Sequence, residues 1–92
     1  MPKELQKGSG AWFVYILLCD NNALYTGSSN DPERRFKEHQ SGQGAKYTKL
    51  YKPLRILYTE AAGNRGTALK RELEIKSWTR KRKIKDLGLR LD

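Results

Sequence analysis

The side chains in this chain that could do chemistry are two tyrosines ten residues apart, Tyr15 and Tyr25, the pair Arg35 and His39, and the acid Glu72. Phenol, imidazole, guanidinium and carboxylate are groups that move protons and hold charge. Arg35 and His39 are one helical turn apart, so on a helix they share a face. On charge statistics alone, a solvated arginine beside a surface histidine is the favoured reading of that spacing. At about 100° per residue, Ala68, Leu69, Leu73 and Ile75 spread over one apolar side of a later helix, with Glu72 in their midst and Glu74 on the opposite, solvated side. A carboxylate in an apolar stripe costs free energy unless something pairs with it. Lys76, one turn on, is a partner at the right spacing.

The elements that must carry these groups follow from pattern. Trp12 to Cys19 is a continuous apolar run rich in β-branched and aromatic residues, bounded by Gly8-Ser9-Gly10 and Asp20-Asn21-Asn22, and predicts a buried strand. Leu24 to Gly27 follows at hairpin distance, placing Leu17 opposite Tyr25 and Tyr15 opposite Gly27. Tyr15 and Tyr25 then lie on one face as diagonal neighbours, roughly 7–8 Å apart. Asn30-Asp31-Pro32-Glu33 starts a helix and Gly42 stops it. Gln43 to Pro53 has no sustained period and is expected to be a loop. Leu54 to Thr59 predicts a third strand. Beyond the break at Gly63 to Gly66, a helix is expected from near Thr67 to about Leu87, either continuous or jointed near Ser77-Trp78-Thr79. Strand, strand, helix, strand, helix is an α+β pattern.

Composition narrows the partners. A length of 92 residues with 37% hydrophobic content makes one core, so residues 1–92 are expected to be a single domain with its core at about 12–87. The single Cys19 lies in an apolar run and excludes an internal disulfide framework. No run reaches the roughly 20 apolar residues of a membrane span, and the polar N-terminus is unlike a signal peptide, so a cytoplasmic monomer is expected. Nineteen Lys and Arg against ten Asp and Glu give a formal charge of +9, which points to a polyanionic partner.

Val14-Tyr15, and Tyr25-Thr26-Gly27 ten residues on, resemble the paired tyrosine motifs of the GIY-YIG nucleases, with Phe13 in place of the first glycine and Thr26 in place of isoleucine. Arg35, His39 and Glu72 match the family's arginine, its aromatic or histidine one turn later, and its later glutamate. The resemblance runs from about Phe13 to Lys83. It is nearest to small stand-alone members with counterparts of Gly44-Ala45-Lys46-Tyr47-Thr48 and Arg71-Glu72-Leu73-Glu74-Ile75-Lys76.

The resemblance implies a small three-stranded antiparallel sheet flanked by helices, and an endonuclease that hydrolyses phosphodiester bonds in DNA, in repair or recombination. It implies Tyr15 as the base for the attacking water, Arg35 as the grip on the phosphate, and Glu72 as the one protein ligand to Mg²⁺ or Mn²⁺. Tyr25 and His39 would orient water or phosphate, with His39 as the second candidate base, and Gly27 would let the backbone approach the phosphate. Lys46, Tyr47, Lys49 and Lys52 interleave cations with aromatics, and Arg80 and Lys81 open a basic run; both segments are expected to meet nucleic acid. The main rival is a nucleic-acid-binding domain of the same fold without activity.

Overall fold

In the computed structural model, residues 10–92 are described; residues 1–9, which include part of the polar stretch expected to precede the first strand, lie outside them. Strands β1 (Phe13–Cys19), β2 (Leu24–Ser29) and β3 (Pro53–Ala61) form an antiparallel sheet in the order β2-β1-β3. Helices α1 (Pro32–Gln40) and α2 (Lys46–Leu50) precede β3, and α3 (Arg65–Lys76) and α4 (Arg80–Leu87) follow it. The result is the expected α+β arrangement of a three-stranded sheet flanked by helices.

The central strand explains its own sequence. Val14 to Cys19 are all buried because both faces of β1 are covered. Val14 and Ile16 point to a cluster with Ile75 of α3 and Leu89, joined by Trp78, Ile84 and Leu87. Tyr15 and Leu17 point the other way, where α1 packs. The hairpin register is the one read from alternation: Tyr15 pairs with Gly27 and Leu17 with Tyr25. β3 runs beyond Leu54 to Thr59 at both ends because β1 pairs along its whole length, from Phe13 with Ala61 to Cys19 with Pro53.

Three expectations change. The stretch expected to be a loop holds the short helix α2, which has no side-chain cap and only one buried side chain, Thr48, so no apolar period announced it. The late helix is a pair, jointed at residues 77–79, and its first member starts at Arg65 rather than near Thr67. Asn64 caps it through a reciprocal bond set with Thr67, and Gly66 inside the first turn disguised that start. The third change concerns the apolar stripe of α3, where Ala68 and Ile75 are buried but Leu69 and Leu73 are 42% and 65% exposed.

α3 is held to the sheet by a polar clamp. Arg71 donates Nε and Nη2 to the two carboxylate oxygens of Glu60 on β3, at 2.8 and 3.2 Å. The same guanidinium covers Trp78 at 5.3 Å, and Arg82 covers that ring at 4.1 Å. Bidentate geometry makes such a pair stronger than a single surface contact. Glu60→Gln should therefore lower unfolding stability by about 1–2 kcal/mol, the low end for charged hydrogen bonds since both side chains are partly exposed. Denaturant titration checks this; an unchanged midpoint would mean that apolar contacts alone hold α3.

Candidate active site

The site lies on the β2 side of the sheet, where both helical layers come together. Tyr15 projects from the central strand, and its hydroxyl lies 2.9 Å from His39 Nε2. Directly across on β2, a Cβ at Gly27 would stand 2.5 Å from the Tyr15 oxygen, so glycine here makes room for the phenol. This is a reason for Gly27 different from phosphate approach, the one expected from the sequence.

His39 is fully buried on α1 and held on its far side by segment 44–48. Thr48 Oγ1 lies 2.8 Å from Nδ1, and the Ala45 backbone N–H donates to Nδ1 at 3.3 Å. A Cβ at Gly44 would collide with the imidazole, so a second glycine clears space for a ring. Two tautomers satisfy these contacts: with Nδ1 accepting from Ala45, Nε2–H donates to the Tyr15 oxygen; with Nδ1–H donating to Thr48, whose hydroxyl donates to the Ala45 carbonyl at 2.8 Å, Nε2 accepts from the phenol. Burial, and then the nearby Arg35, push the His39 pKa down to about 4. The imidazole is therefore neutral at pH 7 and turned away from solvent, with Nε2 against the Tyr15 oxygen.

Burial pushes the Tyr15 pKa above that of an ordinary phenol, with Tyr25 adding to the shift and Arg35 opposing it. Tyr25 meets the His39 ring edge-on at 5.1 Å and stacks on Tyr47 at 6.2 Å. Arg35 is aimed by Glu38, whose carboxylate accepts from Nη1 at 2.9 Å. Glu72 comes from the opposite layer. Its Oε1 accepts from Ser28 Oγ at 2.6 Å, and Lys76 Nζ lies 2.6 Å from its Oε2. The lysine expected as its partner is thus in place, together with a serine on β2.

Tyr15, Tyr25, Gly27, Arg35 and Glu72 line one cleft of about 290 Å³. His39 stands behind it. Trp12, Ser28, Arg65 and Leu69 also line the cleft, and the sequence reading missed them. Glu38, Ala45 and Thr48 were missed as supports. The Gly44-Ala45-Lys46-Tyr47-Thr48 segment, noted for its resemblance, was the one available signal for the last two. Lys46, Lys49, Lys52 and Lys81 are exposed, and Tyr47 is exposed beside Tyr25. Arg80 is engaged differently, donating Nη1 to the Asn22 carbonyl and so tying α4 to the β1–β2 loop.

Residues 11–85 match the sequence model of the GIY-YIG catalytic domain. The chain belongs to the GIY-YIG family. A UPF0213 protein of Staphylococcus saprophyticus is 45% identical over 73 residues, covering 79% of this chain and 89% of the relative. One from Staphylococcus aureus is 47% identical over the same shares. Among solved structures, the solution NMR structure of a UPF0213 protein from Bacillus halodurans superposes with a TM-score of 0.54 at 38% identity, covering 85% of this chain and 83% of that one. A protein from E. faecalis, also solved by NMR, gives 0.58 at 40% over the same shares. Among the described residues, no helix of this GIY-YIG domain is long and apolar enough to cross a membrane.

The buried imidazole has a consequence for acid stability. His39 titrates at about 4 when folded, against 6.5 for a free imidazole, so on acidification the unfolded chain takes up the proton first. The stability gained from keeping this ring neutral is complete above about pH 6.5 and is lost as pH falls from there to about 4. Thermal melts across that window should show a falling Tm, and the fall should be shallower in His39→Gln. Equal slopes for the two proteins would remove the neutral buried ring from the account.

Proposed function

We propose that this GIY-YIG domain is a phosphodiester hydrolase that cuts DNA with one divalent cation, Mg²⁺ or Mn²⁺. The observation that carries the reading is the convergence, on one cleft, of a phenol backed by a buried histidine, a guanidinium from α1 and a carboxylate from α3.

Whether Glu72 suits a cation can be judged from its surroundings. Ser28 and Lys76 take up one lone-pair site on each oxygen, and a carboxylate offers about four, so room is left for a further ligand bond. Glu72 is the one carboxylate among the residues that line the cleft, so it would be the sole anchor. Mg²⁺ suits such an anchor, because it keeps several waters and binds through one or two carboxylates plus substrate phosphate. When bound, the cation would neutralise charge on the phosphate and the leaving oxygen.

The chain's own groups supply the rest. Arg35, held in line by Glu38, grips two non-bridging oxygens through its planar fork. Tyr15, once deprotonated, takes the proton of the attacking water, and the Nε2–H of His39 donates to the phenolate oxygen. Since burial holds the phenol above its ordinary pKa, the reactive form is a minority at neutral pH whose share grows with alkalinity. Tyr25 and Leu69 wall the cleft, and Arg65 adds a second cation to it. DNA repair or recombination is the setting we propose.

A second reading, a nucleic-acid-binding domain without activity, is favoured by one observation: Glu72 already has an ion-pair partner in Lys76. Glu72→Gln separates the two. On the proposed reading it abolishes Mg²⁺-dependent cleavage and leaves DNA affinity in place, while Glu74→Gln behaves like the parent. Cleavage of no DNA by the parent across a Mg²⁺ and Mn²⁺ titration would leave the binding reading standing.

For the base, kcat/KM should climb close to tenfold per pH unit through neutrality, following the deprotonated fraction of Tyr15. Tyr15→Phe should lose about 10²–10⁴ in rate and flatten that slope. A Tyr15→Phe enzyme that keeps both rate and slope would move the base elsewhere.

A further inference from the structure

A second cleft, of about 250 Å³, adjoins the first on the same side of the sheet. Its lining is Leu24, Tyr25, Thr26, Tyr47, Lys76 and Lys83, and Tyr25 is a wall common to both. The two clefts thus meet at a single aromatic ring, and the Lys76–Glu72 ion pair joins a wall of one to a wall of the other.

The chemistry of the second cleft is specific. Lys76 from α3 and Lys83 from α4 bring two ammonium groups to it. Lys76 is paired with Glu72, whereas no carboxylate pairs with Lys83 among the described residues. Burial, and then the nearby Lys76, push the Lys83 pKa down, so an anion placed between the two would relieve both costs. The aromatic wall is Tyr25 stacked on Tyr47 at 6.2 Å and 21°, and Tyr51, outside the lining, meets Tyr47 at 5.1 Å. Thr26, only 2% exposed, carries a hydroxyl without a hydrogen-bond partner, the one such buried side-chain atom among the described residues. Two cations, a polar atom lacking a partner and an aromatic wall match a phosphate, a sugar edge and a base. A cleft of this volume takes one nucleotide and not a stacked base pair.

We infer that this second cleft binds an unpaired nucleotide adjoining the scissile phosphate, which makes the substrate class DNA with single-stranded character beside the cut. The inference rests on the proposed nuclease reading for the word scissile; the binding subsite itself does not. Lys76 and Lys83 hold the neighbouring phosphate, Tyr47 supports the base, and Thr26 lies at the floor.

The test is fluorescence anisotropy with a fluorescein-labelled thymidine hexamer and a labelled duplex of similar charge, in EDTA so that no cleavage intervenes. The parent should bind the hexamer, Tyr47→Leu should weaken that binding about tenfold, and Lys83→Gln should reduce its log–log salt slope by about 0.7. Duplex affinity should change much less in Tyr47→Leu. Lys37→Gln, in the groove between α1 and β3, should match the parent. Should Tyr47→Leu fail to fold, Lys83→Gln on the partly exposed α4 carries the test, with its Tm measured alongside. Hexamer affinity and slope unchanged in Lys83→Gln would overturn the subsite. Equal losses on hexamer and duplex in the folded variants would overturn the unpaired-nucleotide class. A protein that binds the hexamer in this way yet cleaves no DNA in Mg²⁺ or Mn²⁺ would refute the nuclease reading and leave the subsite intact.

Discussion

The hydrogen-bonded line from Tyr15 through His39 to Thr48 holds three elements in one relation: the central strand, α1, and the short helix α2. A neutral imidazole buried with both nitrogens engaged avoids the penalty of an unsatisfied polar group, and because its partners lie on opposite sides the ring cannot turn without breaking one of them. Two glycines are tied to this line by space. Gly27 leaves room for the phenol and Gly44 for the imidazole, and a methyl group at either would displace a ring. α2 itself has little to hold it in place, being five residues long with one buried side chain, and that side chain is the threonine that meets His39.

The opposite layer is organised by different forces. α3 rests on Ala68 and Ile75 but is oriented by Arg71 on Glu60, and its continuation into α4 pivots on Trp78 between two guanidiniums. Nine residues of α3 and α4 are Lys or Arg, and three of them are compensated locally: Arg71 by Glu60 and Glu74, Lys76 by Glu72, and Arg82 by Asp86. Arg65, Lys70, Arg80, Lys81, Lys83 and Lys85 have no carboxylate partner among the described residues, and Lys83 lies near Lys76. A surface organised in this way tolerates repulsion in the free protein and relaxes when an anion arrives.

What could be read from the sequence follows the physics of each element. A short loop sets the Tyr15–Gly27 register without tertiary knowledge, because counting outward from the turn fixes which residues of the two strands face one another. Asn30-Asp31-Pro32 and Gly42 bracket α1 by local chemistry alone. α2 escaped notice because its only inward side chain is polar. The burial of His39 escaped because its surroundings come from a segment with no period, so a histidine near an arginine read as surface. Leu69 and Leu73 were assigned inward by a wheel that weighed apolarity, with Glu72 in their midst; Glu72 does lie inward on Ser28 of β2, but Arg71, bound to Glu60 of β3, takes the place given to the leucines. Polar groups with distant partners are what such a wheel cannot see.

The order β2-β1-β3 makes β2 an outer strand, with α1 on one face of it and α3 on the other. Arg35 and Glu72 therefore reach the cleft from opposite layers, past the edge of a single strand. The backbone of that strand adds a constant thickness to the gap, like a gauge block between two jaws. The rest of the gap is side chains, because those packed beneath each helix set how far it stands from the sheet. A change of volume at Ala68 or Ile75 thus reaches the cleft as a change of opening, without touching any residue that lines it.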